Sequence, residues 1–191
     1  MSNIAIIAGQ GKLPLIWAEE AVRSGHKLYA FSIEEEETYP LLDNVIETFS
    51  VKLGELDRLI TLLKENKIEK AVMLGKVRKS HLFCDFQPDL RMKQLLAGIK
   101  NLNDDSILLA IVRELESAGI EVIKQSTYMD GLLQSRGILT EREPEEDTAA
   151  DMEYGFRMAR EIGRLDIGQT VIVKKRAVFA VEAIEGTDRA I

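Results

Sequence analysis

The stretch Ile4-Ala5-Ile6-Ile7-Ala8-Gly9-Gln10-Gly11-Lys12-Leu13-Pro14 decides how this chain folds. Residues 4–8 form an unbroken apolar run, the pattern of a parallel strand covered on both faces. Gly9, Gln10, Gly11, Lys12 and Leu13 then lead to Pro14, which suits a first helical turn because the N–H it lacks would have no partner there. Two glycines after a strand let the backbone approach an anion, and the helix start behind them offers free N–H groups and a positive dipole end. The competing reading is a tight strand–helix turn with no ligand. The position favours phosphate, because ligands collect where parallel strands end.

Working outward, the same alternation repeats. A helix closing at Gly25 is followed by a strand over residues 27–33, an acidic run at 34–37 and a third strand over 45–51. Leu56, Leu59, Ile60 and Leu63 fall at i, i+3, i+4 and i+7, one face of a helix. Residues 70–74 make a fourth strand ending at Gly75-Lys76. Met92, Leu95, Leu96 and Ile99 share a helical face, and a further helix from Asn103-Asp104 turns Ile107, Leu108, Ile111 and Leu115 inward. Gly119 stops it before a fifth strand at 120–123. Strands alternating with helices at this spacing predict a parallel sheet with right-handed crossovers, an α/β Rossmann-like domain over residues 1–130.

Beyond Lys124 the periodicity lapses, and the acidic, Pro-containing end of residues 131–146 reads as a linker. A second, incomplete α+β domain is expected over 147–191. Its helix starts at Asp147 or Thr148 and buries Met152, Phe156, Ala159 and Ile162. Strands at 170–174 and 177–184 then flank the basic turn Lys174-Lys175-Arg176 as a hairpin. A helix and a hairpin are thin for a complete domain.

The 191 residues are 46% hydrophobic and 30% charged, with a formal net charge of −7. That charge argues against nucleic acid as a partner, since phosphate contacts need a basic face. One cysteine, Cys84, excludes an internal disulfide framework and fits a reducing, cytoplasmic compartment. No apolar run approaches the ~20 residues of a membrane span, so membrane contact is expected to be peripheral.

Other segments carry candidate chemistry. Gly75, Lys76, Arg78 and Lys79 follow the fourth strand on the same sheet edge, suited to a diphosphate or to plain solvation. Asp104 and Asp105 open a helix, where capping and dipole effects alone explain them; Mg²⁺ would need them to meet phosphate oxygens. Gln169 precedes the hairpin, and Glu185, Gly186, Thr187 and Asp188 follow it, as turn residues or as one site. His26 and His81 are too scattered for a zinc site or a triad. Cys84 reads as a packing residue. Residues 81–86 place apolar side chains in a loop that either faces lipid or tucks onto the domain, the second being favoured.

Taken together, IAGQGKLPL (7–15), VMLGKVRK (72–79), NDDSILLAIVRELESAGIEV (103–122) and AREIGRLDIGQTVIVKKRAVFAVEAIEGTD (159–188) resemble the LpxI family, the UDP-2,3-diacylglucosamine pyrophosphatases of lipid A biosynthesis. The resemblance covers essentially the whole chain. It implies two domains holding the lipid-linked UDP-sugar between them, and magnesium-dependent hydrolysis to UMP and 2,3-diacylglucosamine 1-phosphate. By position, Gly9, Gln10, Gly11, Lys12, Gly75, Lys76, Asp104 and Asp105 would line the first-domain side, with Gln169, Glu185, Gly186, Thr187 and Asp188 opposite. Lys76 would neutralise phosphate. Asp188 or Asp105 would serve catalysis by holding magnesium or orienting water, with Asp104 a further metal ligand.

Family members continue past the Glu185–Asp188 block towards an aspartate important for catalysis. This chain is therefore expected to lack part of the catalytic domain and to have little hydrolase activity alone. An unfinished domain exposes apolar surface, which would favour a homodimer or aggregation. The alternative is a dinucleotide- or nucleotide-sugar-binding module without hydrolase activity. Glu34 lies where an acidic residue would meet a ribose hydroxyl, whereas Pro14 replaces the third glycine of that fingerprint.

Overall fold

A computed structural model describes residues 2–34, 36, 45–77, 86–99, 104–133, 137–165, 167–183 and 185–191, with the side chains of Asp104 and Asp105 outside the description. The chain divides into two compact units, Met1–Gln134 and Ser135–Ile191.

The first unit runs β1 (Asn3–Ala8), α1 (Leu13–Arg23), β2 (Lys27–Ile33), β3 (Glu47–Val51), α2 (Leu56–Glu65), β4 (Lys70–Leu74), α3 (Leu90–Ala97), α4 (Asp104–Ser117) and β5 (Glu121–Val122). All strand pairs in its sheet are parallel, in the order β3-β2-β1-β4-β5. The expected Rossmann-like α/β architecture is thus present.

Alternation along each strand divides the core in two. Ile4, Ile6 and Ala8 of β1 pack with Leu28, Ala30, Val72 and Leu74 against Trp17, Ala18 and Ala21 of α1. Ala5 and Ile7 face the other way, with Phe31, Ile33 and Val51, onto Leu59 and Leu63 of α2, Met92 of α3 and Leu115 of α4. Burying a side chain of this size contributes roughly 1.5–3 kcal/mol, so both faces of β1 must stay apolar. Phe86, the one described member of the 81–86 loop, packs against this second core.

Three further residues lock elements together. Tyr128, held at φ 67°, meets Trp17 edge-on at 5.5 Å and fastens the chain after β5 over α1. Asp89 caps α3 by accepting from Met92 N at 2.8 Å, and its other oxygen accepts from Asp57 N in α2 at 2.6 Å. Arg91 of α3 donates to Asp57 at 2.6 Å and to Glu114 of α4 at 3.0 Å. The carboxylate of Asp57, then that of Glu114, raises the Arg91 guanidinium above its ordinary value against mild desolvation.

The second unit contains α5 (Glu146–Arg164), the antiparallel pair β6 (Val171–Lys174) and β7 (Ala177–Val181), and α6 (Thr187–Ala190). Lys175 and Arg176 join the strands at φ 51° and 56°, as a tight two-residue hairpin turn requires. Asp151 of α5 receives both of their N–H groups, at 2.8 and 2.6 Å. Gly155 brings α5 so near β6 that an added Cβ would lie 3.2 Å from Val173 Cγ2. These contacts turn the Asp151/Gly155 side of α5 to the hairpin. Met152 and Phe156, expected to be buried, are instead 62% and 67% exposed, and Ala159 and Ile162 are half-buried. The packed side thus keeps Ala159 and Ile162 of the expected stripe, while hydrogen bonding at Asp151 and close backbone approach at Gly155 turn Met152 and Phe156 out of it.

Candidate functional site

In a sheet of order 3-2-1-4-5 the chain leaves β1 towards β2 on one side and β4 towards β5 on the other, which opens a crevice beyond the ends of β1 and β4. The two glycine loops named from sequence both emerge there, and they are bonded to each other. Gln10 N–H donates to the Lys76 carbonyl at 2.8 Å, Lys76 N–H to the Gln10 carbonyl at 2.9 Å, and Gly9 N–H to the Leu74 carbonyl at 2.8 Å. A Cβ on Gly9 would stand 2.6 Å from the Lys76 oxygen, and one on Gly75 2.7 Å from the Gln10 oxygen. Gly75 also sits at φ +87°. These two glycines let the loops touch.

The N–H groups of Gly9 and Gln10 are thereby committed. Those of Gly11, Lys12, Leu13 and Leu15 donate to no main-chain carbonyl among the described residues. They surround the start of α1, whose N-cap, Lys12, provides no side-chain cap. Main-chain N–H groups at a positive dipole end, beside the exposed ammonium groups of Lys12 and Lys76, attract an anion.

Beside this bridge a cavity of about 440 Å³ opens at the strand ends. Ile7 and Met73 of the sheet, Leu56 and Leu59 of α2, and Met92 of α3 form its inner walls. Ile107, Leu108 and Ile111 of α4 line the remaining side. Leu108, expected to point into the core, is 46% exposed because it borders this open cavity.

Gly9 and Gly75 stand at the cavity's edge together with Lys52, Lys124 and Gln125, three residues not singled out by the sequence reading. Lys52 follows β3 directly, and Lys124 and Gln125 follow β5 closely, so a survey of residues just past each strand would have found them. Gln125 is fixed by donating from Nε2 to the Met73 carbonyl at 2.8 Å. The volume falls in the range of small-molecule sites, ~300–1,000 Å³, and the walls are mainly hydrocarbon.

Asp104 and Asp105 stand at the start of α4; their side chains, like residues Asn103, Arg78, Lys79, His81 and Cys84, lie outside the described residues. Among the described residues no three His, Cys, Asp or Glu side chains gather as a metal cage. Mg²⁺ commonly takes one or two carboxylates and completes its shell with phosphate oxygens and water. The exposed Asp188, in the first turn of α6, fits such a minimal donor set.

In the second unit the structure brings Gln169 and Thr187 together through Glu182, a further residue the sequence reading passed over. The Glu182 carboxylate accepts from Gln169 N at 3.3 Å and from Thr187 Oγ1 at 2.9 Å. The Thr170 hydroxyl, then that of Thr187, holds this carboxyl below its ordinary value, aided by main-chain N–H groups of Gln169 and Thr170. Glu185 instead closes its own turn by accepting from Ala183 N at 3.0 Å. Gly186, at φ +85°, turns the chain into α6. Position after an apolar strand was the available signal for Glu182, but it reads equally as a solvated strand end.

These features define an α/β protein with a ligand crevice at the switch point of a doubly wound sheet. Residues 3–132 match the LpxI N-terminal domain and residues 135–191 the LpxI C-terminal domain. The chain is 31% identical over 196 residues to the UDP-2,3-diacylglucosamine pyrophosphatase LpxI of Caulobacter vibrioides, an alignment covering 98% of this chain and 67% of that protein. The chain belongs to the LpxI family.

Among solved structures, a UDP-glucose-4-epimerase from Stenotrophomonas maltophila overlaps 63% of this chain and 35% of its own, with a TM-score of 0.41 and 13% identity. The biotin carboxylase subunit of pyruvate carboxylase overlaps 68% and 24%, with a TM-score of 0.40 and 16% identity. The chain spans about a third and about a quarter of those two structures.

Proposed function

We propose that this protein hydrolyses the pyrophosphate bond of UDP-2,3-diacylglucosamine, giving UMP and 2,3-diacylglucosamine 1-phosphate in lipid A biosynthesis. The observation that carries the reading is the adjacency of two chemistries at one sheet edge. A hydrocarbon-lined cavity of about 440 Å³ is bordered by Gly9 and Gly75 of the two bridged loops and by Lys52 and Lys124, and the Gly9 loop leads on into the start of α1. A ligand carrying both acyl chains and a diphosphate uses both parts. Each methylene buried in such a cavity contributes ~0.8 kcal/mol, so the apolar walls supply affinity while the polar edge sets orientation.

In this reading Lys76, Lys12, Lys52 and Lys124 offset the diphosphate charge. The helix N–H groups bind one phosphate's oxygens. Water adds at one phosphorus, the bridging P–O bond breaks, and the departing phosphate keeps the bonding electron pair. The water's proton passes to a carboxylate; Asp188 or Asp105 is assigned to orient the water, and Asp104, Asp105 or Asp188 would hold Mg²⁺. Bound Mg²⁺ would supply charge neutralisation at the phosphate oxygens. The acyl chains of the substrate imply peripheral contact with the inner membrane surface from the cytoplasmic side.

The test is titration calorimetry of the full chain with UDP-2,3-diacylglucosamine, with UDP-glucosamine and with NAD, alongside ³¹P NMR detection of UMP in the presence of Mg²⁺. Binding of the acylated nucleotide well above its unacylated counterpart, with UMP appearing, is the expected result. Saturable NAD binding with no response to the acylated nucleotide would overturn the proposal in favour of a dinucleotide module.

A further inference from the structure

A four-residue helix cannot hold its own orientation, because its nucleation cost exceeds what so few hydrogen bonds return. α6 is such a helix, Thr187–Ala190, and its N-cap Gly186 gives it no side-chain cap. Something outside α6 must therefore fix Thr187 and Asp188. Glu182 does so at one atom: Thr187 Oγ1 donates to its Oε1 at 2.9 Å.

The other carboxylate oxygen reaches the opposite end of the hairpin, receiving the N–H of Gln169 at 3.3 Å. The main chain supports the same junction. Glu182 N–H donates to the Thr170 carbonyl at 2.9 Å, and a Cβ on Gly168 would lie 1.9 Å from the Glu182 carbonyl oxygen. The Thr170 and Thr187 hydroxyls complete the junction at 3.5 Å. An ionised carboxylate suits this place because it only accepts, and the described groups bonded to it, the Gln169 N–H and the Thr187 hydroxyl, are donors.

We infer that Glu182 is a positioning residue, clamping the turn of residues 168–170 to the turn of residues 185–188 so that Gln169 and Thr187 are presented to the ligand as one rigid pair. The inference rests on the reading above that these two residues meet the nucleotide-lipid substrate. The sheet ladder alone would align β6 and β7, but Gln169 N–H and the Thr187 hydroxyl lie outside that ladder. Their relative placement depends on the carboxylate. Glutamine at this position keeps one acceptor yet turns an NH₂ group towards a donor, so shape is retained while half the clamp is lost.

The experiment uses the full chain with Glu182→Gln, Glu182→Asp, Gln169→Ala and Thr187→Ala, followed by ¹⁵N–¹H spectra and calorimetric titration with UDP-2,3-diacylglucosamine. Glu182→Gln is expected to shift the Gln169 and Thr187 amide resonances, leave those of α5 in place, and weaken binding by about tenfold, the loss of one charge-assisted hydrogen bond. Glu182→Asp should restore part of that affinity. Acidification below the ordinary carboxylate range should weaken wild-type binding more steeply than that of Glu182→Gln.

Wild-type amide positions for Gln169 and Thr187 in Glu182→Gln would overturn the clamp whatever the binding result. Unchanged affinity in Glu182→Gln alongside a loss in Thr187→Ala would overturn it as well. If instead Gln169→Ala and Thr187→Ala both bind as wild type, the substrate reading of this face falls, and the amide shifts still decide the clamp.

Discussion

Gln10 and Lys76 exchange both main-chain hydrogen bonds, at 2.8 and 2.9 Å, across the switch point between β1 and β4. The contact joins the two loops into one edge and fixes what their glycines are for. Gly9 and Gly75 serve loop-to-loop contact, whereas Gly11 has open space around its missing Cβ.

Gly75→Ala should therefore cost about 2–3 kcal/mol, combining left-handed strain with displaced backbone. Gly11→Ala, with strain only, should cost about 1–2 kcal/mol. Urea unfolding of the two variants separates them. Equal losses would show that the bridge contributes no steric demand of its own.

The cavity wall predicts a split between stability and binding. Met92, 3% exposed, should cost ~2–5 kcal/mol of stability when changed to alanine. Leu108, 46% exposed, should cost under ~1 kcal/mol yet weaken binding of the acylated nucleotide and leave UMP binding unchanged. Denaturation and titration of Leu108→Ala check both halves.

Arg91 ties α3 to α2 and α4 through Asp57 and Glu114, with side chains 37%, 50% and 35% exposed. Solvent screening limits such a network to roughly 0.5–1 kcal/mol. Arg91→Met should show that loss in low salt and little of it in 1 M NaCl, where exposed pairs are screened. A salt-independent loss would point to packing of the arginine stem instead.

The Glu182 carboxyl titrates below its ordinary value, through the hydroxyls of Thr170 and Thr187 first. A depressed native value means the interaction is fully present above the unfolded carboxyl value, near ~4.3, and is lost as pH falls through the lower native value. The Gln169 amide resonance should accordingly hold steady from neutrality down to the carboxylate range and move only below it.

Lys175 and Arg176 occupy left-handed conformations that cost most side chains ~1–2 kcal/mol each. Lys175→Asn with Arg176→Gly should relieve that strain and slow hydrogen exchange in β6 and β7 severalfold. Asp151→Ala, which removes the acceptor for both turn N–H groups, should speed it.

What the residues determined by themselves was local. The apolar run of β1, the 3.6-residue stripes of α2 and α3, and the glycines after β1 and β4 each act within a few residues, so the alternation of strands and helices and the parallel α/β class followed from them. What only the tertiary structure decided was who bonds to whom across the chain. Gly9 and Gln10 looked like an open phosphate cradle until Leu74 and Lys76 were found to take their N–H groups.

α5 shows the same division: periodicity located its apolar stripe, but Asp151 and Gly155 chose the side that packs. Lys52 and Lys124 stand just past strands, but that they border one cavity, and that Glu182 joins Gln169 to Thr187, is decided only by packing. The physical reason is one of range. Backbone propensity and hydrophobic patterning act locally, whereas hydrogen-bond partners and the borders of a cavity exist only once separate elements are packed.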